Sequence, residues 1–144
     1  MSKIENIYEH PGYLSLEDFE GEVWRHIPGA SPQYFVSSLG RVKAVGKIRT
    51  PGAGNGARDP RILKVYALRG YYMVSVKITS NCTYIHRAVA LAFIGEKPTS
   101  DHQVNHKNGI KSDNAVDNLE WVTHYENMRH AWETGLIGSL KLRN

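Results

Sequence analysis

The chain has 144 residues, a net charge of +4 and a single cysteine, Cys82, which excludes an intrachain disulfide and any cysteine-cluster zinc finger. Its length suits one compact domain or two small subdomains sharing a core. The longest apolar run, Ala88 to Ile94, is far too short to cross a bilayer, and Met1-Ser-Lys-Ile-Glu lacks the character of a signal peptide, so a cytoplasmic protein with no membrane partner is expected. Residues 1–20 form an acidic N-terminal extension with no clear period, in which Leu14, Leu16 and Phe19 are the candidates to dock on a sheet.

Residues 21–83 read as an antiparallel sheet. Tyr34 to Ser37 and Arg41 to Val45 flank a Leu39-Gly40 turn, and Tyr72, Val74, Val76 and Ile78 alternate onto one face of a further strand. The charge is concentrated here. Between residues 41 and 77 stand nine Lys or Arg against one acid, Asp59, whereas residues 1–22 carry −5. Such a concentration is the electrostatic footprint of a phosphate-backbone binder, with Arg41, Lys43, Lys47, Arg49, Arg58, Arg61, Lys64 and Arg69 as the candidate contacts to double-stranded DNA. Pro51-Gly-Ala-Gly-Asn-Gly-Ala-Arg-Asp-Pro60 lacks the strand, helix and lysine of a nucleotide loop and is read as a connection within the sheet.

Residues 84–135 change character. Ile85, Ala88, Val89, Ala92 and Phe93 recur at helical spacing, with Gly95 after them, which predicts a linking helix from Tyr84 to Phe93. Within it, Arg87 is a candidate for a phosphate contact or for a structural role at the junction. Gln103 to His106 then ends a short strand, Asn108-Gly109 signals a turn, and Leu119 to Val122 alternates as a half-buried strand. Thr123-x-x-Glu126 is a capping-box pattern opening a helix to about Thr134, with Gly135 placed to end it. Residues 136–144 are a short tail.

In this last segment His106 is followed by Asn118 twelve residues on and Asn127 nine beyond, around strand, loop, strand and helix. The pattern resembles the HNH endonucleases, specifically the homing type of phages and mobile introns, in which the last residue of the triplet is often Asn. Gly21-Glu-Val-Trp-Arg-His-Ile-Pro-Gly29 and Tyr34 to Lys43 resemble the modular segment that commonly precedes such cores, and Ile62-Leu-Lys, Gly70-Tyr-Tyr and Tyr84-Ile-His-Arg-Ala-Val-Ala continue the likeness. The resemblance implies an α+β fold, an antiparallel sheet subdomain followed by a ββα-metal core. It also implies a DNA endonuclease that works with one Mg²⁺ or Mn²⁺ ion and no small-molecule cofactor, leaves a 5′-phosphate and a 3′-hydroxyl, and sits in the host cytoplasm if a phage encodes it.

By the same resemblance His106 is the general base, Asn118 a catalytic residue that fixes the loop orienting His106, and Asn105 and Asn127 the metal ligands. Several relatives have Asp where this chain has Asn105. Two neutral amides hold a hard cation less firmly than an amide and a carboxylate, so ion and DNA should bind together. One centre in a chain without a heptad repeat implies a monomer that nicks one strand. Two other readings remain at this point: a DNA-binding regulator with a decayed core, and a zinc module built from His102-x₃-His106 and His124-x₅-His130.

Overall fold

The computed structural model describes residues 6–46, 59–78 and 82–133. The expected α+β architecture is present, among these residues, as three small antiparallel sheets and two α-helices. In the first sheet β1 (Trp24–His26), β2 (Tyr34–Ser37), β3 (Val42–Ala44) and β4 (Arg61–Ile62) lie side by side in chain order. Val36 and Val42 pair across β2 and β3 and are both fully buried, which holds the register. The turn between them needs Gly40, whose φ is +95°.

The second sheet is β5 (Tyr66–Leu68), β6 (Tyr71–Val74) and β7 (Thr83–Tyr84). Arg69 and Gly70 join β5 to β6 with φ of 54° and 84°, the positive pair that a tight hairpin turn requires. The strand expected to continue through Ile78 stops at Val74. The Val76 amide turns back onto the Val74 carbonyl at 2.9 Å and so leaves the ladder, although Val74 and Val76 are both fully buried.

From β7 the chain passes directly into α1 (Ile85–Val89), which continues as a π-helical turn over Ala90–Ile94 and closes where the Gly95 amide meets the Ala90 carbonyl at 2.9 Å. The helix thus begins one residue later than its spacing suggests. The third sheet pairs β8 (His102–His106) with β9 (Leu119–Thr123), and α2 (His124–Glu133) packs on both strands. Thr123 opens α2: its Oγ1 accepts from the Glu126 amide and donates to the Glu126 carboxylate, both at 3.1 Å.

Val36 and Val42 of the first sheet with Ile27 just after β1, Val74 of β6 with Val76 just after it, Ile85, Ala88 and Val89 of α1, and Leu119 of β9 form a single buried cluster. α1 contributes three of these residues, and because Leu119 joins them, one core serves both the basic sheet region and the third sheet.

Two expectations for the first third of the chain are corrected. Of the three candidates to dock the extension, Phe19 packs as expected but Leu14 and Leu16 are exposed, and Ile7 and Tyr13, which bury themselves with Ile62, and Tyr8 take their place. Arg41 is no DNA contact, because it is fully buried. Its Nε and Nη2 donate to the Glu22 carboxylate, Nη1 to the carbonyls of Tyr13 and Ser15, and Nη2 also to that of Glu17, while the Phe19 ring covers the guanidinium at 4.7 Å. A planar fork with five N–H donors suits this role as no lysine could. Lys47, Arg49, Arg58, the glycine-rich connection, Gly135 and the tail lie outside the described residues. Among those described, no helix is long and apolar enough to cross a membrane.

Candidate active site

A cavity of about 360 Å³ opens at the end of β8 and is lined by Asn105, His106, Lys111, Asn127, Tyr71 and His130, among others. Asn105 and His106 are consecutive on β8, and both line the cavity. Asn127 and His130 arrive from one face of α2, three residues apart. The capping box at Thr123 therefore sets where Asn127 enters.

Asn105 is buried, and its Nδ2 donates at 2.9 Å to the carboxylate of Glu120, its cross-strand partner. That bond orients the amide so that Oδ1 is left without a protein donor among the described residues, and the carboxylate polarises it. The half-buried Asn127 also lines the cavity. Two amide oxygens in one cavity are the hard donors that Mg²⁺ or Mn²⁺ takes, so these residues fit such an ion.

His106 is buried beneath the cavity, and its Nε2 lies 2.7 Å from Asn114 Oδ1. Burial holds its imidazole below the ordinary value, with the Lys111 charge adding to the effect, against the opposing pull of the Asn114 hydrogen bond and of Asp113. The ring is neutral at physiological pH and can accept a proton. Lys111 crosses the cavity wall with Nζ 4.4 Å from the centre of the Tyr71 ring and 3.1 Å from the Arg69 carbonyl.

Asn118 does not line the cavity. Its Oδ1 accepts from the Asn108 amide, and its Nδ2 donates to Asn108 Oδ1 and to the Asp113 carbonyl, with distances of 2.9 to 3.1 Å. It ties both ends of the loop that follows His106. The sequence gives no role to Asn114, Glu120, Lys111, Tyr71 or His86. Of these, only Glu120 had a usable signal, through its position opposite Asn105 once the two strands are aligned.

His86 stands next to His106, ring centres 5.3 Å apart, with Tyr71 at 5.1 Å and Tyr84 at 5.4 Å. It is buried, its Nδ1 finds no partner among the described residues, and burial, with His106 and Arg87 contributing, lowers its pKa to about 3.

The remaining candidates divide by exposure. Lys64, Arg69 and Arg87 are exposed, Arg61 is half-buried, and Lys43 is half-buried with its ammonium 4.2 Å from the centre of the Trp24 ring. The zinc module is overturned: among the described residues no three His, Cys, Asp or Glu side chains are grouped as a metal ion requires. His102, His106 and His130 instead turn a ring nitrogen to Thr99, Asn114 and the Lys107 carbonyl.

The HNH endonuclease profile matches residues 83–129, and the NUMOD4 motif matches residues 22–77. The chain carries an HNH endonuclease-family domain preceded by a NUMOD4 motif. Two uncharacterized HNH endonucleases of Acanthamoeba polyphaga mimivirus are similar to it. One is 37% identical over 127 residues, covering 85% of this chain and 29% of that protein. The other is 37% identical over 97 residues, covering 66% of this chain and 27% of that protein. The chain thus spans under a third of either relative. Among solved structures, one described as DNA binding and cleavage by the HNH homing endonuclease I-HmuI superposes with a TM-score of 0.57 at 27% identity, covering 78% of this chain and 59% of that one. Both matched segments contribute residues to the shared core.

Proposed function

We propose that this HNH chain is a DNA endonuclease that hydrolyses one phosphodiester bond per encounter, with His106 as general base. The observation that carries the proposal is the meeting of Asn105, His106 and Asn127 in one cavity. HNH nucleases generally use a divalent metal, and here one Mg²⁺ or Mn²⁺ ion on the oxygens of Asn105 and Asn127 would supply positive charge against the phosphate and the departing 3′ oxygen. The neutral His106 takes a proton from the attacking water, a task suited to an imidazole kept uncharged by burial. Lys111, on the same wall, faces the phosphate with a further cation. Asn118 holds the loop that carries Asn114 beneath His106. Water attack on phosphorus expels the 3′ oxygen, leaving a 5′-phosphate and a 3′-hydroxyl.

One centre per monomer cuts one strand. With Mg²⁺ or Mn²⁺, supercoiled plasmid should pass first to open circle at limiting protein, and His106→Ala should lower the rate by about 10²–10⁴-fold with DNA affinity unchanged. Linear product at the outset would point to paired centres in a dimer. Binding without cleavage under either ion would instead identify a regulator with an inactive core.

A further inference from the structure

Tyr8 belongs to the acidic extension, outside both matched segments, yet it ends a chain of hydrogen bonds that starts at His106. His106 Nε2 meets Asn114 Oδ1 at 2.7 Å, Asn114 Nδ2 donates to Tyr8 Oη at 2.9 Å, and Tyr8 Oη donates to the Gly40 carbonyl at 2.9 Å. The direction of this chain follows from its far end. A backbone carbonyl only accepts, so the one hydroxyl hydrogen of Tyr8 goes to Gly40, and Oη can offer only a lone pair to Asn114. The amide must then turn its NH₂ to Tyr8 and its oxygen to His106, which obliges Nε2 to carry the ring proton. The lone pair of the neutral ring is thereby left on Nδ1.

The parts are closely held. Asn114 is almost fully buried. The Tyr8 ring stacks on Tyr72 at 4.3 Å and meets the Tyr13 ring edge-on at 5.5 Å, and Asn6 Oδ1 accepts the Tyr8 amide at 3.0 Å. A Cβ at Gly40 would come within 2.8 Å of both Tyr8 Oη and Asn114 Cβ, so only glycine lets hairpin, extension and loop meet here. Burial also pushes the Tyr8 phenol well above its usual range, keeping its hydrogen in place.

We propose that Tyr8 is a positioning residue that sets the tautomer of His106 through Asn114, taking its polarity from the Gly40 carbonyl. The catalytic consequence rests on His106 being the base, whereas the tautomer itself does not. Without the hydroxyl, the Asn114 amide is free to turn and present NH₂ to Nε2, which places the ring proton on Nδ1 and removes the lone pair that would receive the water proton.

The test uses the whole chain labelled with ¹⁵N at histidine, above the ordinary imidazole pKa of about 6.5, with the His106 signals assigned by their absence in His106→Ala. The wild type should show Nε2–H. Tyr8→Phe, which keeps the ring on Tyr72, should show a mixture with Nδ1–H and a kcat for nicking lowered about 3–10-fold, the worth of one hydrogen bond, at unchanged KM for DNA. In Asn114→Asp, whose carboxylate only accepts, adding Tyr8→Phe should leave Nε2–H in place. Nδ1–H in the wild type would overturn the proposal, as would an unchanged tautomer in Tyr8→Phe or loss of Nε2–H in the double variant. A tautomer that shifts while kcat stays constant would uphold Tyr8 as the tautomer's determinant and remove His106 as the base.

Discussion

At the scale of residues, the site is defined by which atom each amide turns towards the cavity. Asn105 offers the cavity a neutral amide, and a carboxylate is one hydrogen bond away, on Glu120. Supplying that charge directly should show in the metal requirement. Asn105→Asp is expected to keep nicking activity and to lower the Mg²⁺ concentration at half-maximal rate, since a carboxylate binds a hard cation more strongly than an amide. An unchanged midpoint would remove Asn105 from the ligand set. His86 makes a different prediction. It faces Tyr71, Tyr84, Arg87 and His106, and its folded pKa of about 3 lies below the unfolded value of about 6.5, so folding keeps it neutral. Its contribution is complete above about pH 6.5 and falls away from there towards about pH 3, because in that window the unfolded chain binds a proton that the folded one refuses. Thermal melts across that range should therefore fall less steeply for His86→Phe than for the wild type, and parallel curves would show that His86 is not the group responsible.

At the scale of elements, the acidic extension is a structural part of the basic sheet. Glu22 and the carbonyls of Tyr13, Ser15 and Glu17 wrap Arg41, the first residue after the β2–β3 turn. Removing one partner of a buried ion pair strands the other, at a cost of about 3–5 kcal/mol. Arg41→Met is expected to lower stability by about that much in a denaturant titration while leaving the affinity of the remaining folded protein for DNA unchanged. A stable Arg41→Met protein with weakened DNA binding would reverse the assignment. The capping box at Thr123 is the opposite case, a local device entirely legible in sequence, because its bonds join residues three apart.

For the whole molecule, the proposed activity needs a surface that meets the phosphate backbone. The exposed cations Lys64, Arg69 and Arg87 come from the NUMOD4 stretch and from α1, and both of these regions contribute to the one core. Replacing the three together by Ala should flatten the slope of log affinity against log salt by up to about 0.9 for each phosphate that is no longer neutralised. An unchanged slope would locate the DNA surface elsewhere.

Much of this protein was legible in its sequence because the signals were local. The Asn108-Gly109 turn, the alternation from Leu119 to Val122 and the capping box all act over a few residues of chain, and together they set a strand pair and a helix, on which His106 and Asn127 meet in one cavity while Asn118 lies outside it. Burial is not local, which is why Arg41 read as one more cation of a basic stretch until the extension closed over it. The same holds for the partners of His106. Asn114 is joined to Tyr8 across 106 residues and Tyr8 to Gly40 across 32, so no periodicity could announce them. Sequence alone determined which groups are present and how they are spaced; only the packing of extension, hairpin and loop decided which atom of each faces the cavity, because a hydrogen bond has a direction only once its partner is in place.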